Sequence, residues 1–307
     1  MEEPISRSVY NALQMKLTQN VLNPAPGLKA ANFQVAYSLS KFVNPEAFQG
    51  PPPPGNPAAQ NDQDFVLTAA DNNQPLRFMG PSLLDRTHQI SFGGSFDVPH
   101  GFRFGVISHF YSPLSSPAII GQNFTPGQIY QTDFTGSGIF NQPMPGTSNG
   151  SFMRQFGVTG LNNAINGYNA TYGNEPTPAG QKLVTAGLFT VAQLQQIGAV
   201  APIVAQAPPN QLVYPWTRAL DFKASWVYRF DERFTIEPSI GFYNVANFSN
   251  FNQPPGVMTG WLTQGSGSIN SIAAGSTSAQ SYRVGNGTGV FGLGSPRVLE
   301  FGMHLTF

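Results

Sequence analysis

The chain has 307 residues and balances 15 Lys and Arg against 15 Asp and Glu, so only 10% of it is charged where a water-soluble domain carries roughly 25%. That balance, with no Lys/Arg cluster, excludes a phosphate track and with it nucleic acid as a partner, while the lack of Cys excludes disulfides, thiol catalysis and cysteine metal sites. With 40% apolar residues, 25 Phe among them, the chain is too apolar for a disordered tail, yet no apolar run reaches the roughly 18 residues of a spanning helix. The opening MEEPISRSVYNALQ has no basic flank before an apolar core, so an exported protein is expected to take its leader from outside this chain.

In chain order, the first regular pattern has period two. Leu13, Met15 and Leu17 alternate with Gln14, Lys16 and Thr18, and Phe33, Val35, Tyr37 and Leu39 alternate with Asn32, Gln34, Ser38 and Ser40. The two segments predict an antiparallel pair joined by a turn over Val21–Lys29. A second pair is predicted over His88–Val98 and from Phe102 onward, closed by Pro99-His100-Gly101. In the third, Leu220–Phe230 turns at Asp231-Glu232 into Phe234–Phe242, with an irregularity expected at Pro238, which has no N–H for the ladder. The last segment, Arg297–Phe307, alternates to the terminal residue.

Long connections separate these pairs, at residues 43–83, 112–213 and 248–296, and all are rich in Gly, Pro, Asn, Gln and Ser. Within the middle one, Thr177-Pro178 predicts a short helix stopped at Gly187, and Thr190 with Gln193 predicts a capping box on a second helix stopped at Gly198. A further strand is predicted near Gln280–Val284.

Strands of about ten residues with one large apolar face, short turns at one end and long loops at the other predict an all-β, antiparallel transmembrane barrel. The polar faces carry Lys16, Asp221, Lys223, Arg229, Glu237, Glu300 and His304. These groups suit a wet lumen and are costly against lipid. A soluble β-sandwich also alternates, and it stays open as a reading of the strands.

The segments SVYNALQMKLTQN, FQVAYSLSKFV, DRTHQISFGGSFDVPHGF, LNNAINGYNATYGNEPTPAGQKLVTAGLFTVAQLQQIGAV, LDFKASWVYRFDERFTIEPSIGFYNVANFSNFN and RVLEFGMHLTF carry a resemblance. Together they resemble the C-terminal barrel portion of TonB-dependent outer-membrane receptors, particularly the Oar-like group with a carboxypeptidase-regulatory-like N-terminal domain. The resemblance implies a barrel of about 22 strands closed around a plug. About seven to ten strands are legible, with no plug and no TonB box, so a partial barrel across residues 1–307 is expected, not functional alone. It implies a bacterial outer-membrane location, lipid around the barrel, and coupling to TonB only through the missing N-terminal plug region. It also implies that the seven polar-face residues face the lumen or the plug, either lining the substrate route or forming a paired network that only stabilises the barrel, and a signal to the barrel-assembly machinery at Phe301, Met303, Leu305 and Phe307.

No catalytic, metal or cofactor site is expected. His88, His100, His109 and His304 lack metal-ligand spacing, although Asp85, His88 and His109 fall where a hairpin could bring them together. Neither a phosphate-binding GxxxxGK[ST], a GxGxxG nor a GxSxG elbow occurs in a suitable context. The function expected is active uptake of an unidentified small-molecule or oligomeric substrate. The alternatives are an outer-membrane adhesion or structural barrel without transport, and a soluble β-rich binding protein.

Overall fold

The computed structural model describes residues 7–45, 73–120, 126–140, 142–207, 216–231, 234–248, 250, 257–258 and 297–307. The chain is mostly antiparallel β-sheet with a few short helices. In order come β1 (Val9–Ala25), β2 (Leu28–Asn44), β3 (Gly80–Pro81), β4 (His88–Asp97), β5 (Phe102–Tyr111) and β6 (Ile119–Ile120). The helices α1 (Ile129–Thr132), α2 (Val158–Thr171), α3 (Pro178–Thr185) and α4 (Val191–Gln196) follow, then β7 (Thr217–Trp226), β8 (Tyr228–Asp231), β9 (Phe234–Tyr243), β10 (Val257–Met258) and β11 (Val298–Thr306).

The main sheet runs β1-β2-β4-β5-β7-β9-β11, with β3 added to β2 and β8 to β9. Each long strand pairs with the next long strand of the chain, so the sheet is an up-and-down meander whose edges are β1 and β11; among the described residues it is not closed on itself. The predicted turn at Val21–Lys29 is corrected by the structure. Pairing continues through Val21↔Ala31 and Leu22↔Ala30, slips at a bulge, and resumes at Ala25↔Leu28. Pro26 and Gly27, at φ +83°, make the reversal, and glycine takes that φ without a Cβ clash. The loop predicted from residue 43 likewise starts later, because Val43 and Asn44 pair with Pro81 and Gly80.

Pro238 lies inside an unbroken β9, opposite Met303. The expected irregularity falls on its other neighbour, where β7 ends at Trp226 and β8 begins at Tyr228 in the same register. Between them the Val227 N–H donates to the Gly101 carbonyl at 2.8 Å, continuing the β5 ladder in register. Pro238, opposite Trp226, has no N–H to give, and the pairing between the two strands is interrupted there.

The predicted connection 112–213 contains a folded insert rather than a bare loop. Its core joins Ala118, Ile120, Met144, Phe152, Leu161, Ile165, Tyr168, Val204 and Ala207. Both expected helices form with their expected caps: Thr177 accepts from the Gly180 N–H, Thr190 and Gln193 make the capping box, and Gly187 and Gly198 take positive φ. The longest helix, α2, is the element sequence reasoning missed. It presents Leu161, Ile165 and Tyr168 to the core and uses its asparagines as clamps. Asn169 donates to the Val204 carbonyl and accepts the Val204 N–H, both at 2.8 Å, and Asn162 does the same with Ala207 at 2.9 and 2.8 Å. Seven residues of helix rise about 10 Å, the reach of three extended residues, so two asparagines two turns apart match backbone groups three residues apart. The predicted strand at Gln280–Val284 lies outside the described residues, as do the Glu232 turn position and most of 248–296.

Candidate functional site

Register assigns every side chain of the sheet to one of two faces. One hydrogen-bond row reads Gln19, Phe33, Gly94, Val106, Phe222, Phe242 and Leu299, and the next row on the same face reads Val21, Ala31, Phe96, Phe104, Ala224, Ile240 and Phe301. Extended through the strands, this face collects Leu13, Met15, Leu17, Val35, Tyr37, Phe92, Trp226, Met303 and Leu305. It is a continuous apolar surface across seven paired strands, and much of it is bare. Leu13, Met15, Leu17, Trp226, Tyr228, Leu299, Met303 and Leu305 are exposed, and Phe301 is 78% exposed. The buried hydrophobic cluster of the chain lies in the insert.

The strands also slant. The first row crosses β4 six residues below its upper end, the end nearer the insert, but crosses β11 one residue below its own. Over the four steps from β4 to β11 the strand ends shift by five residues in all, four of them between β7 and β9, a mean of about one residue per step. One residue of about 3.3 Å per inter-strand step of about 4.8 Å is a slope of about 35°, the tilt of strands in a closing barrel. β4, β5, β7 and β9 each have 10 residues and β11 has 9, the length a tilted strand needs to cross a hydrocarbon layer.

The Trp and Tyr residues of the apolar face lie toward its two ends, with Phe between them. At the upper end the His88 ring stacks between Tyr37 and Trp216, with centroids 6.2 and 6.0 Å away, and shares a 2.9 Å hydrogen bond with the Tyr37 hydroxyl. At the lower end Trp226 packs on Phe102 and Tyr228 and donates its indole N–H to the His100 carbonyl at 2.9 Å. Asp85, His88 and His109 do not meet. Asp85 accepts from Arg154 at 2.6 Å and from the Phe42 N–H at 2.7 Å, whereas His109 bonds Ser91 and Tyr111.

All seven predicted lumenal residues lie on the opposite, polar face. Lys16, Lys223, Arg229, Glu300 and His304 are exposed there, and Asp221 and Glu237 are half-buried. The structure brings some together through register. Glu237 stands directly across from His304 and accepts the Ser225 hydroxyl at 2.7 Å, while Lys223 and Glu300 both pair with Gly241 from its two sides. Asp221 accepts the Asn244 N–H at 2.7 Å, Arg229 faces Thr235, and Lys16 stands apart on β1 beside Ala36. Three groups of this face escaped the sequence reading of the site. Arg103 donates to Asp97 at 2.7 Å across the hairpin, and Tyr243 donates to Glu300 at 2.7 Å. The signal for Arg103 was available, since Asp97 and Arg103 flank the Pro-His-Gly turn symmetrically.

The insert is tied to the upper end of the sheet by a buried pair. Arg154 bonds the Asp85 carboxylate at 2.6 Å and donates to the Asp85 and Pro113 carbonyls at 2.6 and 3.0 Å, with Asp85 only 2% exposed. Asn149 adds a 3.0 Å bond to Asn44. Inside the insert, burial pushes the Tyr168 phenol well above its ordinary pKa, and its hydroxyl donates to the Pro202 carbonyl at 3.0 Å.

Comparison with known proteins finds no matching family model, curated protein or solved structure.

Proposed function

We propose that this chain is part of the wall of a bacterial outer-membrane β-barrel, the C-terminal portion of a TonB-dependent receptor that takes up a scarce solute. The observation that carries the membrane reading is the register-continuous apolar face, which is bare at Leu13, Met15 and Leu17 of β1 and at Leu299, Phe301, Met303 and Leu305 of β11, and half-buried at Phe33, Phe92, Phe96, Phe104, Phe222 and Phe242 between them, while the buried hydrophobic cluster of the described residues lies in the insert. In water such a face would be an aggregation surface; against hydrocarbon it is stable. Strand lengths, the slope of about 35° and the aromatic ends all suit a bilayer. The polar face then borders the lumen, where Lys16, Asp221, Lys223, Arg229, Glu237, Glu300 and His304 line the solute route or meet a plug.

The receptor part of the proposal rests on sequence resemblance and on the insert, a folded body standing at the long-loop rim where an extracellular ligand arrives. The open edges at β1 and β11 need further strands, because unpaired backbone is costly in lipid. Two measurements test the proposal. Refolded into brominated-lipid bilayers with Trp216 and Trp261 replaced by Phe, the fluorescence of Trp226 should be quenched, and unquenched emission overturns the membrane reading. In the intact reading frame, solute accumulation should vanish in a strain lacking TonB, and uptake that persists overturns the receptor reading alone.

A further inference from the structure

The segment after α1 folds around the side chain of Gln142 in a way that an amide cannot satisfy. Its sequence is Asp133-Phe134-Thr135-Gly136-Ser137-Gly138-Ile139, with Gly138 at φ +81°. The Gln142 Nε2 lies 3.0 Å from Asp133 Oδ1, 2.8 Å from Thr135 Oγ1, 2.9 Å from Ser137 Oγ and 3.1 Å from the Ile139 carbonyl oxygen. Four oxygens thus surround one nitrogen that has two hydrogens to give. Meanwhile Gln142 is 1% exposed and its Oε1 is buried without a partner. An oxygen cage drawn in on one centre, with a buried amide oxygen left unpaired beside it, is the donor arrangement of a hard cation rather than of an NH2 group.

The spacing agrees with that chemistry. Calcium loops of the helix-loop-helix type take side-chain oxygens from positions 1, 3 and 5, a backbone carbonyl from position 7, and a glycine at position 6 for the sharp turn. Counting Asp133 as position 1 puts Thr135, Ser137, Gly138 and Ile139 at those places. The second carboxylate oxygen of Asp133 accepts the Gly138 N–H at 2.7 Å, and the first also accepts the Thr135 and Ser137 N–H groups at 3.2 and 3.1 Å, so the loop is held in shape around the cage. Position 12 is Met144, not a glutamate, and Asp133 is the one carboxylate of the cage. Few negative charges give a weak site, in the range of about 10⁻⁴ to 10⁻³ M found for extracellular calcium modules.

We propose that the Asp133–Ile139 segment with Gln142 binds one calcium ion, through Asp133 Oδ1, Thr135 Oγ1, Ser137 Oγ, the Ile139 carbonyl and, once the Gln142 side chain draws back from the centre and turns its amide over, Gln142 Oε1. Calcium–oxygen contacts of about 2.3 to 2.6 Å require the cage to tighten by about 0.5 Å around the centre now held by the nitrogen. The ion gives every one of these oxygens a partner, including the Gln142 oxygen that has none. The smaller magnesium ion demands near-ideal octahedral geometry at about 2.1 Å, so the loop discriminates against it.

The test is equilibrium binding of radioactive calcium to the full 307-residue chain folded in detergent, with magnesium as competitor. Expected is saturable binding of one ion per chain below about 10 mM, little displaced by equimolar magnesium, and weakened at least tenfold in both Asp133→Asn and Thr135→Val. Thr135→Val keeps every backbone anchor to Asp133, so it separates lost ligation from lost folding, and circular dichroism of both variants records the fold. No saturable binding to the unaltered chain overturns the proposal. So does binding by folded Thr135→Val that equals the unaltered chain. Neither result bears on whether the sheet lies in a membrane.

Discussion

Phe301 and His304 stand on the same strand, three residues apart and on opposite faces, and both are exposed. In a water-soluble protein, Arg at either position would change stability by no more than about 0.5 kcal/mol, because an exposed residue gives up little contact. In a bilayer the two diverge. Phe301 is the fourth of the nine residues of β11, close to the middle of the crossing, where a lipid-facing Arg costs about 2 to 4 kcal/mol, or about 30- to 1,000-fold in the folded population. His304→Arg replaces one polar lumenal group by another and should cost less than about 1 kcal/mol. Folding into lipid vesicles, followed by heat-modifiable electrophoretic mobility across a urea series, reads both variants against the unaltered chain. Equal losses in the two variants, or none in Phe301→Arg, would refute the assignment of the apolar face to lipid.

Removing one partner of the buried Asp85–Arg154 pair leaves a charge without compensation, so Arg154→Met should loosen the insert by about 3 to 5 kcal/mol, seen as faster limited proteolysis between residues 112 and 207 with the sheet still protected. Asn169→Ala removes both bonds to Val204 and leaves its backbone groups unpaired; it should cost about 2 to 3 kcal/mol and selectively speed hydrogen exchange at the Val204 amide. The raised Tyr168 pKa means that the unfolded chain loses its phenolic proton first. The stability this group contributes is therefore full below about pH 10 and falls as pH rises further; Tyr168→Phe should flatten that alkaline decline in thermal unfolding of the insert. Short turns and the insert should face opposite sides of the membrane, so in intact cells an impermeant thiol reagent should label Lys182→Cys and spare Lys29→Cys, both exposed positions.

The strands were legible because period two is a strong local signal when one face is large and apolar, as at Leu13, Met15 and Leu17. What escaped was decided by interactions across the sheet. Nothing local at Val227 announces a strand break; it follows from Pro238 on the neighbouring strand, which only the register brings alongside. The turn at Val21–Lys29 was drawn too wide because Asn, Pro and Gly were read as ending both strands, whereas the hairpin absorbs Asn23 and Pro24 in a bulge. Helix α2 was obscured by composition. Its apolar positions Val158, Leu161, Ile165 and Tyr168 have helical spacing, but Gly160, Gly167 and four asparagines are poor helix formers. Two of those asparagines, Asn162 and Asn169, clamp Ala207 and Val204, and the tertiary bonds outweigh propensity. The polar face was legible residue by residue, yet its neighbours were not, because Glu237 across from His304, and Lys223 and Glu300 on the two sides of Gly241, depend on register between separate strands.

On the membrane reading, the two halves of the molecule face different solvents. The insert buries Phe152, Leu161, Ile165 and Val204 completely, as a body facing water must, and its polar groups are clamped in pairs. The sheet turns Phe301, Met303, Phe230 and Leu17 outward and keeps most of its charged groups on the opposite face, with Lys41 and Arg218 at the upper end of the apolar one. A sheet sloped by about one residue per strand curls as it grows, and its first and last strands meet only when enough strands have accumulated. With about eight strands the interior is just wide enough to be filled by side chains. Lys16, Lys223, Arg229 and Glu300 are exposed on the polar face that the proposal assigns to the lumen, which suits the wider cavity of a larger barrel. On that reading the β1 and β11 edges pair with further strands: cross-linking from cysteines introduced at Gln14 and Met303 should capture additional strands of the intact protein and not each other.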